Sequence, residues 1–126
     1  MKNYLLIGSL ICGTAVLIGA FGAHGLKEHV TAERLDNFET GVKYQFYHGL
    51  ALLFLGTLSS QKWIGLAAKF FLMGVLIFPS SLYLLVLTDI TEFGAITPIG
   101  GVSFIMGWIC LAIAAKNIQA RSQQST

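Results

Sequence analysis

Between Tyr4 and Ala23 the chain runs for 20 residues without a charged side chain. At about 1.5 Å of rise per residue, a helix of that length covers the roughly 30 Å hydrocarbon core of a bilayer. A helix satisfies its own backbone N–H and C=O groups, which lipid cannot do for it. The run therefore predicts a membrane-crossing α-helix and makes lipid the solvent for the rest of the chain. Lys2, the apolar run and Ala20-Phe21-Gly22 also have the order of a secretory signal with a small-residue cleavage site. The length of the run and the apolar segments downstream favour a retained span instead.

Composition agrees with that solvent. Apolar residues make up 55% of the 126 and charged residues 11%, where soluble domains carry about a quarter charged. A chain of this size folds as one domain (1–126) and leaves much of its surface exposed, so an apolar excess of this kind belongs in lipid. The net charge of +2, with no basic run, offers no field for nucleic acid. Cys12 and Cys110 both fall inside apolar stretches and read as small packing residues rather than a disulfide or a metal pair.

Three more apolar segments, about 44–59, 70–88 and 98–115, predict an all-α integral membrane protein, a four-transmembrane-helix up-down bundle whose first span is about 4–23. Between the first two spans, Thr31 has the chemistry of an N-cap, and Leu35, Phe38 and Val42 share one helical face, which predicts a short amphipathic helix over about 31–43 that breaks near Gly41. Ser59-Ser60-Gln61-Lys62 reads as a turn, and Trp63 with Lys62 and Lys69 as an interfacial anchor. Pro79 predicts a kink in the third span that frees a carbonyl near Val75, and Thr97-Pro98 predicts a capped, proline-started fourth span. A loose polar tail over 119–126 is expected.

Four crossings sort the charges. Lys2, Lys62, Lys69, Lys116 and Arg121 fall on one side without an acid, while Lys27, Arg34, Lys43 and all six acids fall on the other. The excess of bases places both termini in the cytoplasm of a bacterial plasma membrane, with the chain multi-pass. Helices in lipid associate through close contact at small residues, and Gly8, Cys12, Ala15, Gly19 and Gly22 form such a seam on the first span. Gly49 and Gly56, Gly74, Ser81 and Thr88, and Gly100, Ser103 and Gly107 repeat the pattern on the others. These faces pack the bundle and offer a route to a homo-oligomer.

The polar groups of interest gather toward the outer side. His24 and His48 are placed where the first two spans meet the membrane surface, with Tyr44 one turn from His48 and Ser81 on the third span. Several readings stand side by side: interfacial histidines bonded to a neighbouring carbonyl or hydroxyl, a metal site, bis-histidine haem ligation by His24 and His48, and a proton or solute path. No cofactor is required by the sequence, since the usual metal-ligand spacing is missing. No ionisable residue lies deep in a span, and GxSxG, P-loop, dinucleotide and HExxH patterns are absent. No catalytic residue is assigned.

The stretches Gly19-Ala-Phe-Gly-Ala-His-Gly25, Tyr44-Gln-Phe-Tyr-His-Gly-Leu-Ala-Leu52, Ser81-Leu-Tyr-Leu84, Gly94-Ala-Ile-Thr-Pro-Ile-Gly-Gly101 and Gly107-Trp108 together resemble the small bacterial inner-membrane proteins of unknown function typified by YgdD and YwdK, which have eukaryotic relatives. The resemblance covers nearly the whole chain. It implies a four-span fold in a bacterial plasma membrane and brings no activity, substrate or cofactor. It departs at Pro79-Ser80, where the family pattern reads Ser-Gly. The leading expectation is a non-enzymatic accessory or structural component of the membrane. A small transporter or channel with an outer vestibule lined by His24, Tyr44, His48 and Ser81, and a haem or metal carrier, come after it.

Overall fold

The structure, a computed structural model, describes residues 3–124. Lys2, one of the bases expected in the cytoplasm, and the last two residues of the tail lie outside the described residues. Four long helices account for most of the chain: α1 (Tyr4–His24), α2 (Ala32–Leu55), α3 (Lys62–Thr88) and α4 (Thr97–Gln124), with short 3-10 helices at Leu26–Glu28 and Thr91–Ala95. No strand occurs among the described residues. Three segments, Tyr4–Glu28, Lys62–Thr88 and Thr91–Gln124, are long and apolar enough to cross a membrane. The helix α2 is not among them, because its first half carries the charges of the polar interval.

Sequential neighbours pack: α1 on α2, α2 on α3, and α3 on α4. The α1–α2 register can be read from the glycines. A Cβ at Gly8 would meet the Gly49 carbonyl oxygen at 2.8 Å, one at Gly49 would meet Cys12 Sγ at 2.6 Å, and one at Gly22 would meet Phe38 Cε1 at 2.4 Å. At Gly56 it would meet Leu5 Cγ at 3.0 Å. The two helices are therefore antiparallel and matched from Leu5–Gly56 at one end to Gly22–Phe38 at the other, with backbone against backbone at Gly8 and Gly49 and the Val42 and Phe38 side chains between them at Gly19 and Gly22. The α3–α4 pair is built in the same way. Gly74 lies under the Phe104 ring, Gly107 under Phe71, and Gly100 against the backbone nitrogen of Phe78.

The core sits where α2, α3 and α4 meet, around Leu52, Leu55, Ile64, Phe71, Phe104 and Ala114. A second cluster of Leu26, Phe38 and Val86 closes the end at which α1 finishes and α2 begins. Large apolar side chains such as Leu17, Leu76, Ile99 and Ile105 point outward, as lipid-facing positions do.

Several local expectations are corrected. The segment 31–43 is not a separate amphipathic helix; α2 runs from Ala32 through Gly41 to Leu55 without a break, since Gly41 is buried against Tyr83 of α3, which holds the backbone in place. The Thr31 cap does form, its side chain accepting from the Arg34 N–H at 3.2 Å. Helix α2 ends at Leu55 rather than 59, so the turn into α3 starts at Gly56. Helix α3 continues through Pro79, which leaves the Val75 carbonyl without its helical N–H donor as its chemistry requires, while the hydroxyl of Ser81 donates to the Phe78 carbonyl at 2.9 Å. The polar tail is helical as far as Gln124.

Asp89 ends α3 in the left-handed conformation (φ 58°), which a short polar side chain tolerates better than most. Arg34 of α2 reaches this end, donating to the Val86 carbonyl, with its Nε 3.6 Å from an Asp89 carboxylate oxygen. A cation here complements the exposed carbonyls of a helix C-terminus. The contact also places the acids of α2, Asp89 and Glu92 at one end of the bundle, away from Lys62, Lys116 and Arg121.

Candidate functional site

The four residues singled out from the sequence do not converge. Phe38, which packs on Gly22 beside His24, lies ten residues from His48 along α2, or about 15 Å. His24 is exposed at the end of α1, whereas His48 is buried, 4% exposed, at the level of Cys12 near the middle of that helix. The two histidines thus sit at different levels of the bundle: α2 is one continuous helix, and His48 lies on it opposite Cys12, away from the end that carries His24.

His48 is held on every side. Its Nε2 lies 3.0 Å from Trp108 Nε1, and because an indole nitrogen only donates, Nε2 is the acceptor. The proton is therefore on Nδ1, which donates to the Tyr44 carbonyl at 2.9 Å. One ring face stacks on Phe104 with centroids 3.6 Å apart and planes 9° from parallel. Phe71 covers an edge at 5.3 Å. With both nitrogens engaged and a face covered, the ring offers no lone pair to a metal or haem iron. His24 and His48 provide no shared ligand position.

Tyr44 and Ser81 come near this cluster without joining a cavity. The Tyr44 ring stacks on Phe78 at 4.6 Å. Ser81 spends its hydrogen on the Phe78 carbonyl, so the 2.6 Å contact with Thr97 has the Thr97 hydroxyl as donor. That bond ties α3 to the start of α4. The Ser103 hydroxyl makes a second tie across the same pair, donating to the Phe70 carbonyl at 2.7 Å.

A polar centre that sequence reasoning missed is Gln45, 7% exposed. Its amide nitrogen donates to the Ile11 carbonyl at 3.1 Å and to Thr14 Oγ1 at 2.9 Å, and its amide oxygen accepts from the Tyr83 hydroxyl at 2.8 Å. One side chain thereby joins α1, α2 and α3. Gln45, Tyr83 and Trp108 all stand in the stretches that carried the family resemblance. The physical signal was available too, because a glutamine inside an apolar run requires an internal partner.

An open cleft of about 360 Å³ lies between α1 and α2, bordered by Gly19, Gly22, Phe38 and Val42, with Lys27, Glu39 and Lys43 around it. His24, Tyr44, His48 and Ser81 do not line it. Among the described residues no group of three or more His, Cys, Asp or Glu is placed to hold a metal ion.

Comparison with known proteins adds kinship. A family model described as "Protein of unknown function (DUF423)" matches residues 18–101. A UPF0382 membrane protein of Staphylococcus aureus (strain bovine RF122) is 47% identical over 116 residues, covering 90% of this chain and 95% of its own length. Another, from Staphylococcus saprophyticus, is 45% identical over 123 residues, covering 94% of this chain and the whole of its own. No solved structure matches. The kinship agrees with the resemblance carried by the glycine- and aromatic-rich stretches at the level of a small membrane-protein family without a known molecular function.

Proposed function

The chain belongs to the DUF423 family, membrane proteins of unknown molecular function, and from that premise we propose that it is a four-span protein of the bacterial plasma membrane, both termini cytoplasmic, acting as a non-enzymatic accessory or structural component. The observation that carries the functional reading is the use made of the buried polar side chains. Gln45, His48, Ser81 and Ser103 are each consumed in hydrogen bonds that join different helices. Such groups act as fasteners in lipid, where helices gain little from hydrophobic association.

The fourth crossing rests on register. From Phe38 to Gly56, α2 lies against α1 from Gly22 to Leu5, so it passes through whatever depth α1 passes through. Within that stretch only Glu39 and Lys43 are charged, both toward the end where α1 finishes. The polar Gln45 and His48 that lower its hydropathy have internal partners, which removes most of their cost in lipid.

The experiment is solute flux. Liposomes containing the purified full chain should release entrapped ions and small polar dyes no faster than empty liposomes; a flux that depends on His48 or Ser81 would favour a transporter instead. Self-association is a second part of the reading. The seam of Gly8, Cys12, Gly19 and Gly22 is occupied by α2, but Gly13, with open space around it, lies with Ser9 and Ala20 on a small-residue face of α1 that no helix of the chain covers. A Gly13→Cys chain that cross-links in membranes would support a dimer through this face.

A further inference from the structure

The α1–α2 cleft continues as a single groove. Its outer part, about 360 Å³, shares Gly19, Val42 and Lys43 with a deeper part of about 300 Å³ bordered by Ala15, Val16 and Phe46. Each part is within the size range of ligand sites, roughly 300–1,000 Å³. No residue of α3 or α4 contributes to either, so the groove opens along the outside of the helix pair.

Its charges sit at one end. Lys27, just past the end of α1, and Lys43 on α2 stand on the two walls, with Glu39 one turn outward from Lys43. Among the described residues the ion pair within 4 Å is Arg34–Asp89, so neither lysine has a carboxylate in direct contact. Lys43 is five residues deeper than Phe38, about 7.5 Å below the level of Gly22. A lysine at that depth without a carboxylate in contact snorkels toward the phosphate layer and favours an anion there.

We propose that this groove is a site for a mono-anionic glycerophospholipid, with one acyl chain lying along Gly19, Val42 and Phe46 and the phosphodiester between Lys27 and Lys43. Two lysines and one glutamate give the mouth a net charge of +1, which one phosphodiester balances. The site depends on α2 lying in the bilayer beside α1, as the four-span reading has it, and not on which side the termini face.

Native mass spectrometry of the delipidated full chain in detergent tests it, with phosphatidylglycerol, phosphatidylcholine and diacylglycerol of identical acyl chains as probes. Phosphatidylglycerol should be retained at one per chain, phosphatidylcholine less, and diacylglycerol least. The Lys27→Gln/Lys43→Gln double variant should weaken phosphatidylglycerol retention roughly tenfold, and Lys116→Gln at the opposite end should leave it unchanged. Ala23→Phe, an exposed position on the wall of the cleft, should reduce retention of all three. Equal retention of the three lipids, equal retention of the two phospholipids, or a double variant that binds like the original chain would each overturn the proposal. The lipid series on the unaltered chain decides the matter even where a variant folds poorly. Cysteine labelling reports separately on the crossing of α2, so failure of the site and failure of the four-span reading are told apart.

Discussion

The indole N–H of Trp108 points inward from a lipid-exposed ring and donates to Nε2 of His48 at 3.0 Å, joining α4 to α2 across the Phe104 stack. Trp108→Phe and His48→Phe should each lower stability by roughly 0.5–1.5 kcal/mol, with a coupling of about 0.6 kcal/mol in the double-mutant cycle, the usual size for interhelical bonds in lipid. Reversible unfolding in mixed micelles measures it. Additive single effects would mean that the bond contributes nothing.

Gln45 is the corresponding fastener for the other half of the bundle. Gln45→Leu keeps the bulk but removes the acceptor of the Tyr83 hydroxyl and the donor to α1. It should cost about 1–2 kcal/mol, and Tyr83→Phe in the same background should restore part of that loss, since the orphaned hydroxyl is then gone. Thermal melting of the two variants and the unaltered chain in detergent checks the order.

Glycine positions should divide into two classes. A Cβ at Gly100 meets the backbone nitrogen of Phe78 at 2.6 Å, whereas one at Gly13 meets nothing within 4 Å. Backbone cannot swing aside as a flexible side chain does, so Gly100→Ala should cost about 1–3 kcal/mol. Gly13→Ala should be neutral or stabilising by roughly 0.5–1 kcal/mol within a monomer. Melting temperatures of the two single variants separate the classes.

How much of the fold was legible in the sequence depends on what each signal encodes. Uncharged run length reports directly on spans, so α1, α3 and α4 were readable, and Thr31 could be recognised as a cap because capping is a local contact. The seam on α1 was readable as small spacing, and its partner proved to be α2 of the same chain. The burial of His48 in the bundle was not readable, because its surroundings suggested a polar lead-in helix with a break at Gly41. In the fold that glycine makes room for Tyr83 and α2 stays whole. The pairing of His48 with Trp108 and of Gln45 with Ile11 and Thr14 spans 60, 34 and 31 residues, and no local pattern specifies contacts at that range. Pro79 implies a missing N–H for the Val75 carbonyl from its own chemistry, whereas the acceptor of Ser81 at Phe78 and its cross-helix partner Thr97 follow only from how α4 packs on α3.

The central claim is that α2 crosses the bilayer beside α1, and single cysteines at Asp36, Ser59 and Gln123 in a chain otherwise free of cysteine test it most directly. With four crossings, a membrane-impermeant thiol reagent applied from outside the cell should label Asp36→Cys and spare Ser59→Cys and Gln123→Cys. With three, α2 would stay on the outer side, and both Ser59→Cys and Gln123→Cys would be labelled along with Asp36→Cys, which would contradict the account.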